Sequence, residues 1–333
     1  LEQVGADVPA ELPALSGLPR NRLGLAKWLF RDDHPLTSRV TVNRFWQEVF
    51  GMGLVRTSAD FGVMGEPPTH PELLDYLSVE FRDSGWDVQE LFRLILSSAT
   101  YRQSARHGER AMELDPENRL LAHGPRFRMH GEMIRDSVLS AAGLLSPKVG
   151  GPSVRPYQPP GVWEAVAMPG SNTRSYDRDE GDALFRRSMY TFWKRSAPPA
   201  SMDIFGAPSR EVCTIQREQT NTPLQALVTL NDPQFIEAAR ALATTALTEN
   251  EGQDERCFHF MSRRLLSRPL RPEEIDVLSE SLQRLMNYYQ SHPADADALL
   301  AVGVTPVDDQ LPATDLAAWT MLASEMINLD ETL

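Results

Sequence analysis

The strongest constraint on this chain is a series of helix-start devices, each placed before apolar residues spaced three and four apart. Asp87 precedes Leu91, Leu94, Ile95 and Leu96, and His70-Pro71-Glu72 opens onto Leu73, Leu74, Leu77 and Phe81. Asn221-Thr222-Pro223 and Asn231-Asp232-Pro233 share one pattern, a capping side chain followed by proline. A polar N-cap satisfies an amide that the first turn leaves open, and proline at the next position has no amide to leave. The same periodicity predicts helices over 21–30, from Thr37 or Ser38 to Phe50, about 130–145, 232–246, 254–266, 272–289 and 315–328. Leu23, Leu25, Trp28 and Leu29 share one side of the first. Val42, Phe45, Trp46 and Val49 line the second, which stops at Gly51-Met52-Gly53. There is no fixed-period repeat and no alternation of strand and helix. The expected fold is all-α, mainly helical, with a long irregular Pro/Gly-rich middle region and at most a few short strands.

That middle region contains Gly150-Gly151-Pro152, Tyr157-Gln158-Pro159-Pro160-Gly161 and Ala197-Pro198-Pro199, with Met189–Trp193 as a candidate short strand. A Pro-rich lead-in (Pro9, Pro13, Pro19) precedes the first helix. The expected organisation is an N-terminal helical part over 1–145, an irregular aromatic and Pro-rich insertion over 146–217, and an acidic helical part over 218–333. Together they are expected to form one compact unit. Loops carried on a helical scaffold are where function tends to sit.

Charge narrows the function classes. Of the net −13, residues 231–333 hold 18 acidic against seven basic residues, leaving the remainder near neutral. Nucleic-acid binding is not expected, because phosphate neutralisation wants a basic face. The longest apolar runs fall far below the ~20 residues of a membrane span. Of 33 basic residues only Lys27, Lys148 and Lys194 are lysine, and arginine favours planar contacts to carboxylates and backbone carbonyls. Cys213 and Cys257 are the only cysteines, too few for a tetrahedral sulfur site, leaving one disulfide or two thiols. Cys-x-x-Cys-His is absent, so no covalent haem attaches here. The chain opens on Leu1-Glu2-Gln3 and reads as a piece of a longer protein.

Six ordered strings carry a family resemblance: Ser38–Trp46, Gly65–Asp75, Ser98–Ser104, Asn118–Leu121, Tyr190–Arg195 and Thr220–Leu227. They resemble the planctomycete-specific domain of unknown function found C-terminal to cytochrome-c-like modules in large exported proteins. The resemblance implies an extracytoplasmic location and a covalent haem elsewhere in the parent chain. It implies no catalytic residues.

The leading candidate site is the aromatic-basic set Trp163, Tyr176, Tyr190, Trp193, Lys194, Arg195 and Arg210, with Phe192 among them. Aromatic faces beside arginines suit a sugar ring or the edge of a docked domain. The expected function is therefore a non-catalytic binding or docking module, its partner a polysaccharide or the haem module of the parent chain. The alternative is a carbohydrate-active hydrolase using Asp and Glu residues, with or without calcium. Asp177, Asp179 and Asp182 in Asp177–Asp182 offer oxygen ligands for calcium, although the EF-hand pattern fails because the glycine falls one position early and Ser188 stands where glutamate is needed. Glu132 and Asp136 share a helix face but have Arg128 and Arg135 beside them, which favours ion pairs over catalysis. The seven histidines (His34, His70, His107, His123, His130, His259, His292) show no metal-binding spacing.

Overall fold

Some helices begin at a side-chain cap and others begin without one. The computed structural model describes residues 17–19, 21–106, 108–217 and 219–333; Pro9, Pro13 and His107 lie outside the described residues. In α1 (Arg22–Leu29) the Asn21 carboxamide accepts from the Gly24 amide at 3.0 Å. Helix α2 (Thr37–Phe50) is capped by neither Thr37 nor Ser38. His34 Nδ1 instead accepts from the amides of Leu36 and Thr37 at 3.4 and 3.3 Å, with the Thr37 hydroxyl at 2.9 Å. Gly51 then closes α2 in the left-handed region, at φ 78°. Helix α3 (Pro71–Asp83) starts on its proline, and Asp87 caps α4 (Val88–Ser97) through the amides of Gln89 and Glu90. A short α5 (Glu109–Leu114) follows.

The chain divides into two compact units, with the break between Arg128 and Met129. The irregular segment 146–217 therefore shares a unit with the helix before it and the helices after it. In the first unit Val42, Trp46, Phe50, Leu74, Leu77, Phe81, Leu91 and Ile95 form the core. Asn43 closes the turn after α2, its side chain donating to the Val55 carbonyl at 2.9 Å and accepting from the Val55 amide at 2.7 Å.

The second unit holds α6 (Gly131–Ala141), α7 (Val162–Val166), α8 (Ala200–Ile204), α9 (Pro223–Asn231), α10 (Pro233–Glu249), α11 (Asp254–Leu266), α12 (Pro272–Ser291), α13 (Pro293–Leu300) and α14 (Ala313–Ile327). No sheet forms among the described residues, only isolated bridges such as Val154 with Thr191. Met189–Trp193 is therefore not a strand: Ser188–Tyr190 is a 3-10 turn. Helix α6 stops four residues short of the expected Leu145, because Gly143 takes φ 74° and turns the chain. Thr222 occupies the N-cap of α9, but its side chain makes no capping bond; Asp232 does cap α10, accepting from the Gln234 amide at 2.9 Å.

Helices α10 and α14 make the centre of this unit. Ala238, Ala239, Ala243 and Ala246 on one, and Ala317, Ala318 and Ala323 on the other, are fully or almost fully buried. Small residues at a helix contact let the axes approach closely. Between them and the loop after α13 lies a buried acid, Glu237. It accepts from the amides of Val304 and Thr305, both at 2.6 Å, and from the Tyr157 hydroxyl at 2.7 Å. Arg240, one turn on, donates to the carbonyls of Leu300 and Thr305. Burial together with this carboxylate pushes the Tyr157 phenol well above its usual range.

Two predictions follow from these packing details. Gly303 sits at φ 94°, and a Cβ there would lie 2.5 Å from Glu237 Cδ. Gly303→Ala combines left-handed strain with overpacking and is expected to cost about 3 kcal/mol in a urea unfolding titration. His34 is buried, which lowers its pKa, with Asp33 opposing more weakly. Its neutral form is the one that accepts at Nδ1. The unfolded chain therefore takes up a proton more readily, and the cap's stabilisation, complete above about pH 6.5, declines as pH falls below it. The difference in melting temperature between the wild type and His34→Gln should shrink as pH is lowered from 7.5 to 5.

Candidate functional site

The irregular segment is organised by two arginines rather than by a ladder of backbone bonds. Arg135 lies on the buried face of α6, in register with Ile134, Val138 and Leu139. Its guanidinium donates to the Gln234 side chain at 2.5 Å, to the carbonyls of Arg186 and Leu184 at 2.7 Å each, and to the Ser188 hydroxyl at 3.3 Å. Burial pushes its pKa down to about 10, against the opposing pull of Asp136, so it stays charged at neutral pH. Arg186 extends the scaffold outward. It donates to the carbonyls of Pro152, Lys148 and Gly150 at 3.0, 3.3 and 2.5 Å and covers the Tyr190 ring at 3.8 Å. A loop without regular structure must still pair its backbone polar groups, and a fork of five donors does so efficiently.

The aromatic-basic residues divide into two groups on this frame. Trp163, on α7, is 2% exposed and sits at the centre of a cluster. Tyr176 meets it edge-on at 4.8 Å, Phe192 is tilted at 5.5 Å, and Lys194 Nζ and the Arg155 guanidinium lie 4.8 and 5.9 Å from its ring. Tyr176 donates to the Pro156 carbonyl at 2.5 Å, and Lys194 to the Thr173 carbonyl at 2.8 Å. Burial, then the nearby Asp179 charge, raise the Tyr176 phenol above its usual range. Trp163, Tyr176 and Lys194 thus hold loops together. Tyr190 is half-buried and its hydroxyl accepts from the Gly150 amide at 2.9 Å.

The second group faces outward. Trp193 is half-exposed, its indole N–H donating to the Ser209 carbonyl at 3.3 Å, and Arg210 lies over its ring at 4.4 Å. Arg210 and Arg195 are exposed, and Arg210 holds a left-handed φ of 63°, uncommon without glycine. Close to them in sequence, Met189 and Val212 are 62% and 73% exposed. Neither was among the site candidates read from the sequence, where Met189 opened a candidate strand and Val212 was an ordinary loop position. Arg135 did carry a signal, an arginine in register with the apolar stripe of its own helix.

The acidic candidates have other partners. Asp179 pairs with Arg155, its carboxylate accepting from that residue's amide at 2.7 Å, while Asp177 and Asp182 are exposed. Among the described residues no group of three or more His, Cys, Asp or Glu side chains comes together to hold a metal ion. Glu132 pairs with Arg217 at 2.7 Å, and Asp136 accepts from the Ser188 amide and hydroxyl at 2.8 and 2.7 Å. The cysteines are not bonded to each other. Cys213 is exposed, and burial pushes the Cys257 thiol up to about 11.

Comparison with known families bears on this arrangement. The family described as PSD1, protein of unknown function (DUF1553), matches residues 21–282, most of the chain. The chain belongs to the PSD1 family. No curated protein and no solved structure matches it. The PSD1 match spans the outward group, the two organising arginines and all six motif strings.

The arginine scaffold makes a direct prediction. Arg186→Lys keeps the charge but loses the fork that reaches three carbonyls, a loss of about 1–2 kcal/mol. Tryptic cleavage after the exposed Lys148 should accelerate under native conditions, while cleavage rates in the first unit stay as in the wild type.

Proposed function

We propose that this PSD1 domain is a non-catalytic docking module of an exported, cytochrome-associated planctomycete protein, working outside the cytoplasm. Its partner is the haem-binding module of the same parent chain. The observation that carries this reading is the outward group: a half-exposed Trp193 stacked by Arg210, with Arg195, Met189 and Val212 exposed on the same stretches of chain. Exposed apolar side chains beside an aromatic residue and arginines are the composition that protein interfaces favour. The six motif strings support the parent context, since they resemble domains that follow cytochrome-c-like modules. Among the described residues no helix is long and apolar enough to cross a membrane, which is compatible with this placement.

A polysaccharide is the second reading, favoured by the indole itself, because sugar rings stack on such faces. One face of Trp193 is already covered by Arg210, and that weighs toward a protein partner. The hydrolase alternative draws less support, since Glu132 and Asp136 are both bonded within the protein.

The test uses the intact parent protein. Trp193→Ala combined with Arg195→Ala is expected to shift the haem midpoint potential and to expose the junction between the modules to protease, with no signal on a glycan array in either form. An unchanged potential and protease pattern would overturn the docking reading, and glycan binding lost in the double variant would replace it with the second.

A further inference from the structure

A concavity of about 330 Å³ lies within the first unit, away from every residue of the proposed docking surface in sequence. Its floor is apolar: Trp46 and Phe50 stack with ring centroids 4.1 Å apart and planes 11° apart, and Leu54 adjoins them. Met112 and Leu121 line its sides, with Glu117 and Arg119 among the polar residues. Three motif strings meet here, through Trp46, through Thr69 and through Asn118–Leu121.

The wall is preformed. Asn118 and Leu121 both take left-handed φ, 51° and 57°. The Asp115 carboxylate holds them there by accepting from the amides of Arg119 and Leu120 at 2.8 and 2.7 Å. Asn118 bonds His123 from both ends of its carboxamide, accepting from its amide at 3.3 Å and donating to its carbonyl at 2.8 Å. Strain kept by so many bonds is characteristic of ligand clamps. A largely apolar, preformed pocket of this size is what small-ligand sites look like.

The polar residues indicate the occupant. Glu117 is paired with Arg56 at 2.8 Å and Arg119 with Glu66 at 3.3 Å, and Arg126 is also engaged within the protein. The paired charges favour a neutral ligand. Arg119 keeps N–H donors beyond the one given to Glu66, and Glu117 keeps an oxygen beyond the one bonded to Arg56. One donor and one acceptor together match an amide group. The volume is about twice that of a cavity that takes up benzene, room for an aromatic ring plus its amide. Apolar side chains are also exposed close by in sequence, with Met112 of the lining at 43% and Leu114 and Leu120 at 74% and 69%. A free amide leaves that surface bare, whereas a chain with apolar neighbours covers it.

We propose that this pocket takes up an aromatic residue of a partner polypeptide, its ring on the Trp46–Phe50–Leu54 floor and its peptide group between Arg119 and Glu117. The test is an NMR titration of the full chain with the blocked tripeptide acetyl-alanyl-tryptophyl-leucinamide, with N-acetyltryptophanamide and with anionic N-acetyltryptophan. Saturable binding is expected, with the tripeptide at least about tenfold tighter than either single residue. Met112→Trp fills the mouth from an exposed position, and Arg119→Gln removes one charge-assisted donor. Each is expected to weaken the tripeptide about tenfold, the loss of one such bond or of the ring's seat. No saturation, unchanged affinity in both variants, or an anionic single residue binding as tightly as the tripeptide would each overturn the proposal.

Discussion

Buried guanidinium groups set the conditions for everything built on the irregular segment. A stretch from Ser146 to Arg217 with no sheet and only short helical turns has backbone carbonyls to satisfy and no ladder to satisfy them. Arg135 and Arg186 between them take the carbonyls of Leu184, Arg186, Pro152, Lys148 and Gly150. Asp136 completes the inner arginine's neutralisation and fixes Ser188. A buried charge left unpaired is far more costly than an apolar residue in its place, so these contacts stand or fall together. The Trp163 cluster and the outward Trp193–Arg210 pair are carried on the same irregular segment.

The same solution recurs at the helical end of the second unit. Arg240 donates to the carbonyls of Leu300 and Thr305, while Glu237 accepts from two amides of that loop. Acid and base stand one turn apart on α10, with their charged atoms 4.0 Å apart. The polar stripe thus serves the loop, and the alanines of α10 are left to pack against α14. Arginine's dominance over lysine has a structural use here that its composition alone does not reveal, because a planar fork of five donors spans carbonyls that a compact ammonium reaches less well.

Local devices were legible in the sequence and distant ones were not. Asp87 and Asp232 cap as expected because an Asx side chain needs only the next two or three amides, and Asn21, read as helical, caps for the same reason. His34 escaped notice because imidazole is not a usual cap, and it reaches α2 from three residues before Thr37. Gly143 ended α6 early for a reason visible only in its φ. The aromatic-basic composition singled out Trp163 and Trp193 together, since the two look alike in sequence. Which ring is covered is decided by Tyr176, Phe192 and Lys194 arriving from elsewhere in the chain. The pocket wall was equally hidden, since nothing in Asn118-Arg119-Leu120-Leu121 announces two left-handed residues.

How the charged side chains are used decides between recognition and catalysis as the stronger proposal. A hydrolytic carboxylate has to face a cleft with its oxygens open to substrate or water. Glu132, Asp136, Asp179 and Glu237 each bond an arginine, a serine or backbone amides of their own unit. Aspartates so engaged stabilise loops and have few oxygens left for chemistry. Arg195, Arg210 and the open edge of Trp193 are placed differently, at the surface of the segment whose carbonyls Arg135 and Arg186 engage. A surface whose loops are already held in place, carrying a few exposed aromatic and cationic side chains, loses little freedom when a partner arrives. That economy suits docking, and it is why the proposed function rests on the outward group rather than on the acids.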